Sequence, residues 1–323
     1  MTKMSSAKGV VLKGLKKIQS SPLFIFGIIA VVLSITVPHF FSVRNIINLL
    51  TQSSTIGLMA LGMAFVLILG GIDLSIPATM AFSGIIGALF MRDVGSPLIG
   101  CIIMVLVGIA VGCINGFAVA KLNMIPFIVT LSMQAILTGS SIWLTNNDSV
   151  YNLPETFPSS VLVEIGGLVP LPVFILIGVT AIVHIVLKKS FFGRWVYSTG
   201  INKQAAEVCG VPATKVVFLS YVFSGFFAGL TAVIVTARLF SASATMGSES
   251  IVLDIVSSAV IGGVSIYGGV GTAVGAVVGA IFITVISNTM NLLHVPYYLT
   301  LLIKGMVIIG VVAVDSIRTI RQE

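Results

Sequence analysis

Few side chains in this sequence could do chemistry, and those that could are far apart. Asp73 stands in Leu67–Pro77, LILGGIDLSIP, where two glycines, an aspartate, a serine and a proline interrupt an apolar run from Ile46 to Phe90. A carboxylate at the centre of a bilayer costs about 2.5 to 3.5 kcal/mol on insertion scales, so its position needs a reason. Two compatible readings are open. In one, Ser75 caps the next helix, Pro77 sits in its first turn, Asp73 meets the positive end of the helix dipole, and Gly70 and Gly71 permit the turn. In the other, this break and a partner at Gly262, Gly263 and onward to Gly271 form the inner part of a translocation path that moves. The remaining charged groups at span depth are Asp254 and Lys304, and Lys304 could snorkel or pair with a carboxylate. Asn115, Gln134, Asn288 and Asn291, with Thr130 and Ser287 as lesser candidates, could line a polar pathway or simply join helices.

Enzyme signatures are missing from the sequence. It has no GxSxG, no HExxH and no GxxxxGK[ST], and GGVGTAVG does not fit GxGxxG. His39, His184 and His294 fall at span ends and read as anchors. Cys101, Cys113 and Cys209 show neither CxxC nor a histidine at ligand spacing, so they read as packing residues rather than a metal site or a disulfide framework. The expectation is a protein that is not an enzyme and carries no cofactor of its own.

The elements that must position these groups are membrane spans. The chain is 57% hydrophobic and 8% charged, with a mean hydropathy of +1.16, against about 25% charged residues in a soluble domain. Its apolar segments are too long for barrel strands, which are about ten residues with strict alternation. An all-α polytopic membrane protein is expected, with about ten spans: 22–38, 46–70, 73–90, 98–120, 126–144, 170–187, 216–237, 250–263, 271–290 and 297–315. The eighth is short and reads as re-entrant or broken. The net charge of +7 reads as membrane orientation rather than nucleic-acid binding. With the amino terminus inside, the cytoplasmic segments collect the tail lysines, Lys121, Lys188, Lys189, Arg194, Lys203, Lys215, Arg318 and Arg321. Outside remain Arg44, Arg92 and Arg238. Both termini are therefore expected in the cytoplasm, with a basic tail over 1–21, a first membrane half over 22–187, a cytoplasmic loop over 188–215, a second half over 216–315 and a short tail over 316–323.

An internal echo links the two halves. Ile68–Phe90, ILGGIDLSIPATMAFSGIIGALF, aligns without a gap on Val260–Phe282, VIGGVSIYGGVGTAVGAVVGAIF, with both glycine pairs and the closing Gly-Ala-x-Phe in common. This suggests a parallel internal repeat whose junction carries transport elements. Glycines at four-residue spacing, Gly108, Gly112 and Gly116, Gly225 and Gly229, and Gly271, Gly275 and Gly279, read as faces for close helix packing. In the longest cytoplasmic loop, Asn202 can cap a short helix through Gln204–Val208, Gly210 can end it, and Pro212 can open the next one. That helix could dock a partner or lie on anionic headgroups, and periodicity leaves both open.

Three stretches together, ILGGIDLS at Ile68–Ser75, FGRWVYSTGINKQAAEVCGV at Phe192–Val211 and VIGGVSIYGGVGTAVGAVVGA at Val260–Ala280, resemble the permease subunits of ribose-type bacterial ABC sugar importers. The resemblance runs over nearly the whole chain. It implies a bacterial inner-membrane core of two permeases, the second being a copy or a paralogue. ABC ATPase subunits would be docked below it and would bind the ATP. A periplasmic or lipid-anchored binding protein would deliver a monosaccharide or polyol. It also implies that the loop bears a coupling helix for the ATPase, at Gly200, Asn202, Ala205, Ala206, Glu207, Gly210 and Val211. Two departures stand out: Cys209 and Pro212 flank the loop glycine, and Pro77 stiffens the start of the third span where the family has a glycine-serine pair. The alternative is a stand-alone secondary carrier, which would need its own ion site from Asp73, Asp254 and Lys304.

Overall fold

The computed structural model describes residues 37–320. The basic tail and nearly all of the first expected span lie outside the described residues. Among the described residues, nine helices follow the remaining apolar segments: α1 (Val43–Ile68), α2 (Ile76–Val94), α3 (Pro97–Ala120), α4 (Pro126–Thr145), and then, after a connecting region, α6 (Leu171–Lys189), α9 (Ala213–Leu239), α10 (Glu249–Ile261), α11 (Ala273–Leu292) and α12 (Tyr297–Ile320). Seven helical segments among the described residues are long and apolar enough to cross a membrane, one of them, Ala244–Ile261, only when a 3₁₀ turn is counted together with α10. The eighth expected span is α10, 13 residues long. At 1.5 Å per residue it reaches about 20 Å, short of a hydrocarbon core of about 30 Å; a 3₁₀ turn at Ala244–Gly247 precedes it.

Local chemistry accounts for the helix starts. Ser42, Ser190 and Thr272 accept the N–H groups of Asn45, Gly193 and Gly275, which satisfies amides that have no partner in the helix. Proline stands in the first turn of α2, α3, α4 and α6, where its missing N–H is no loss. Three small elements had no counterpart in the sequence reading: α5 (Thr156–Val161), a two-residue antiparallel ladder of β1 (Glu164–Ile165) with β2 (Val169–Pro170), and α7 (Phe191–Ile201), which precedes the expected short helix α8 (Lys203–Val208).

The core centres on α1, whose residues from Ser53 to Ile68 are all buried. A helix apolar on every face belongs inside a bundle, and α9, α11 and α10 pack against it. α9 also lies along α3, through the expected glycine faces. A Cβ on Gly108 would overlap the Gly225 carbonyl oxygen, and one on Gly112 would stand 2.5 Å from that of Tyr221. Gly275 and Gly279 do the same for α11 against α10, where added carbons would overlap the carbonyls of Gly262 and Ser258. Gly271 does not share that helical face, because α11 starts only after it.

The internal echo survives with a different register. At the end of α1, Gly70 N–H donates to Leu67 O (2.8 Å) and Gly71 N–H to Val66 O (3.0 Å); at the end of α10, Gly263 N–H donates to Val260 O (2.8 Å) and Val264 N–H to Ala259 O (3.0 Å). Both are the same helix-ending motif, closed by a left-handed glycine, Gly70 at φ +78° and Gly263 at φ +85°. Gly70 therefore corresponds to Gly263, one residue away from the ungapped alignment. The following helix starts at Ile76 in one case and Ala273 in the other, so the second loop is longer and the single-offset alignment cannot hold through it.

Candidate translocation and coupling site

Both breaks, Gly70–Ser75 and Gly262–Thr272, lie at the end of the bundle that carries Lys203, and they touch each other. Gly269 N–H donates to the Ile68 carbonyl at 2.8 Å, so the second loop supplies the donor that the end of α1 lacks. α7 is wedged into the same place. A Cβ on Gly200 would overlap the Ile68 oxygen and stand 2.8 Å from Gly269 N, while one on Gly268 would stand 2.7 Å from the Gly200 carbonyl. Only a residue without a side chain lets three backbones meet this closely. Tyr197, one turn earlier on α7, donates its hydroxyl to the Gly271 carbonyl at 2.7 Å. Burial raises its pKa above the usual phenol value and keeps it a donor. Gly200, named among the coupling positions through the family resemblance, is half-buried at this three-way junction.

The first break is braced by its aspartate. Asp73 Oδ1 accepts the Ser75 N–H at 3.0 Å and the Ser75 hydroxyl at 2.6 Å, and Oδ2 accepts the Ser224 hydroxyl of α9 at 2.7 Å. Asn115 of α3 donates Nδ2 to Ser75 Oγ at 2.9 Å. All four residues are at most 2% exposed. One carboxylate thus ties the loop, α9 and, through Ser75, α3 together. This corrects part of the capping expectation: Ser75 occupies the N-cap position of α2 but makes no side-chain cap bond, because its hydroxyl is taken by Asp73. Thr130 of α4 adds a hydrogen bond to the Ile72 carbonyl at 3.1 Å. Beside the break a cavity of about 200 Å³ is lined by Gly70, Gly71, Asn123, Lys203 and Tyr221 among others, and the Tyr221 hydroxyl is buried there without a hydrogen-bond partner among the described residues.

The four pathway amides do not converge. Asn115 belongs to the Asp73 brace. Asn288 forms a reciprocal amide pair with Asn45 of α1, at 2.8 and 3.0 Å, near the opposite end of the bundle. Gln134 is half-buried on α4, Asn291 is exposed, and Ser287 bonds back to Ile283 O. For Asn115 and Asn288 the interhelical role is the observed one. Lys304 resolves the other alternative: its Nζ lies 2.8 Å from Asp254 Oδ2, both side chains 12% exposed, pairing α12 with α10.

The loop helix α8 forms as expected. Asn202 Oδ1 accepts Ala205 N–H at 2.9 Å, and Gly210 ends it at φ +82°. Asn202, Ala205, Glu207 and Gly210 are exposed, whereas Ala206 is buried and so is no part of an outer face. The sequence reading missed Val208, which is 89% exposed. Its signal was an apolar residue three positions after Ala205 on a helix with water on that side. Ser224 and Tyr197 were also missed: one is a serine in an apolar span, the other a tyrosine in a loop read as irregular, and neither carries a local signature.

Comparison with known proteins agrees with this architecture. Residues 45–312 match the family described as branched-chain amino acid transport system, permease component. The ribose import permease of Haemophilus influenzae is 34% identical over 294 residues, 90% of each chain, and that of Bacillus subtilis is 35% identical over 289 residues, 89% of each. The D-allose transport system permease of Escherichia coli is 35% identical over 298 residues, 91% of this chain and 90% of the relative. No solved structure gives a significant match. With an all-α, multi-span architecture and a family match over most of its length, this chain belongs to the permease-component family of the branched-chain amino acid transport systems, a family of transporters and not of enzymes.

Proposed function

We propose that this chain is the membrane-spanning permease of an ABC importer for a monosaccharide or related polyol. The substrate class rests on relatives named for ribose and allose. The mechanism rests on one observation, the packing of Gly200 against both Ile68 and Gly269. α8 continues directly from α7, so a partner pressing on exposed Ala205 and Val208 would move α7, and α7 contacts both helix breaks at once. In this reading an ATPase subunit docks on α8, its closure shifts α7, and the two breaks re-angle α2 and α11. A second permease copy or paralogue completes the path, and a binding protein presents the sugar from the other side. The basic residues around this junction favour a cytoplasmic position for it and for both termini. The chain is best divided, on this account, into membrane halves at 22–187 and 216–315 joined by the coupling loop 188–215. A secondary carrier finds less support, because Asp73, Asp254 and Lys304 are all committed to internal partners.

The test is copurification from mild detergent of wild type against Ala205→Glu with Val208→Glu. Both side chains are exposed, so the change should leave the fold alone. A nucleotide-binding subunit held by wild type and lost by the variant is the expected result; its retention by the variant would refute docking on α8.

A further inference from the structure

A second cavity, of about 340 Å³, opens at the same end of the bundle. Its wall includes His184 and Lys188 from the end of α6, Arg194 and Tyr197 from α7, and Thr272 at the start of α11. No carboxylate lines it. Among the described residues the salt bridges are Arg92–Asp93 and Lys304–Asp254, so Lys188 and Arg194 have no internal counter-charge. The Arg194 guanidinium lies 4.3 Å from the centre of the Phe191 ring, which orients the cation without neutralising it. Thr272 Oγ1 accepts Gly275 N–H and keeps its own proton to donate. The start of α11, a 20-residue helix, adds the positive end of its dipole. Tyr197, whose hydroxyl is already given to Gly271, serves as wall.

We propose that this cavity holds the phosphate of an anionic phospholipid from the adjoining leaflet. Two unpaired cations, a free hydroxyl proton and a helix start are what a phosphate oxygen array requires. A lipid, rather than a soluble anion, is indicated by the surface that leads away from the cavity. Phe174, Ile177 and Ile185 on α6 are 42%, 60% and 55% exposed, and their spacing puts them on the side of the helix that carries Lys188. Acyl chains can lie along that track while the headgroup enters the basic cavity, as in other basic pockets between spanning helices.

The experiment uses the delipidated full chain in detergent, with phosphatidylglycerol, phosphatidylcholine or inorganic phosphate added, read by melting temperature and by native mass spectrometry. Phosphatidylglycerol is expected to stabilise and to remain bound in preference to phosphatidylcholine. Each cation removed should weaken that preference about fivefold. Lys188→Gln with Arg194→Gln should therefore erase it, and Lys188→Arg should preserve it. If the double variant proves unstable, the bound-lipid count by mass spectrometry still decides. Equal binding of the two lipids, or an undiminished preference in the double variant, would overturn the proposal. Stabilisation by inorganic phosphate alone would overturn the lipid assignment in favour of a soluble anion. A double variant that keeps the lipid yet loses a copurifying ATPase would make these cations a protein contact instead.

Discussion

If Asp73 is a brace, its removal should cost stability before it costs transport chemistry. Asp73→Ala strands the Ser75 N–H and the Ser224 hydroxyl in positions closed to water. The Ser75 hydroxyl also loses its acceptor, but the Asn115 amide can turn over and present Oδ1, unpartnered among the described residues, to its proton. A stranded buried donor costs about 1 to 3 kcal/mol, so the two together should cost about 3 kcal/mol. For a chain of this size that corresponds to a melting point lower by about 4 °C. Asp73→Asn behaves differently: one oxygen still accepts both Ser75 donors, and the Ser224 hydroxyl can rotate to accept from the new amide, for a cost of about 1 kcal/mol. Combining Asp73→Ala with Ser224→Ala removes one stranded group, so the pair should fall short of additive by about 1 to 2 kcal/mol. The assay is thermal unfolding in detergent alongside sugar uptake into vesicles that contain the ATPase. Uptake per folded molecule should survive in Asp73→Asn. A well-folded Asp73→Asn with no uptake would refute the brace and assign the charge itself to transport.

Three other outcomes follow from the packing. Lys304→Met should destabilise by about 3 to 5 kcal/mol by leaving Asp254 buried and unpaired, and adding Asp254→Leu should recover most of it; additive losses in thermal unfolding would count against the pair. Gly108→Leu should abolish the monodisperse peak in size-exclusion chromatography, because its side chain would enter the backbone of α9, whereas Gly178→Leu, which has nothing within 4 Å, should be neutral. Gly200→Ala should give a chain that still retains the ATPase but does not import, as the added methyl overlaps the Ile68 carbonyl; normal uptake by this variant would remove the junction from the coupling route.

The membrane class, the positions of most spans and the Asn202 cap were legible in the sequence because they are local. Twenty apolar residues in a row must find lipid or a core, and an Asn202 before a helix needs only its own next turn to show its purpose. The close-packed glycine faces were legible for the same reason, since four-residue spacing defines one side of a helix. What the tertiary structure decided is the partnership of each polar group. Nothing near Asp73 in the chain announces Ser224, 151 residues away, and Asn45 meets Asn288 only because α1 and α11 lie side by side. Lys304 could equally have snorkelled until α10 brought Asp254 within 2.8 Å. Gly200 stood among the coupling positions only through the family resemblance, and nothing in its own neighbourhood of the chain shows that it is the point where α7 meets both breaks. Spans are set by free energies summed along one segment, whereas hydrogen-bond and ion-pair partners depend on which segments the fold places within 3 Å of each other, a distance that only the assembled bundle defines.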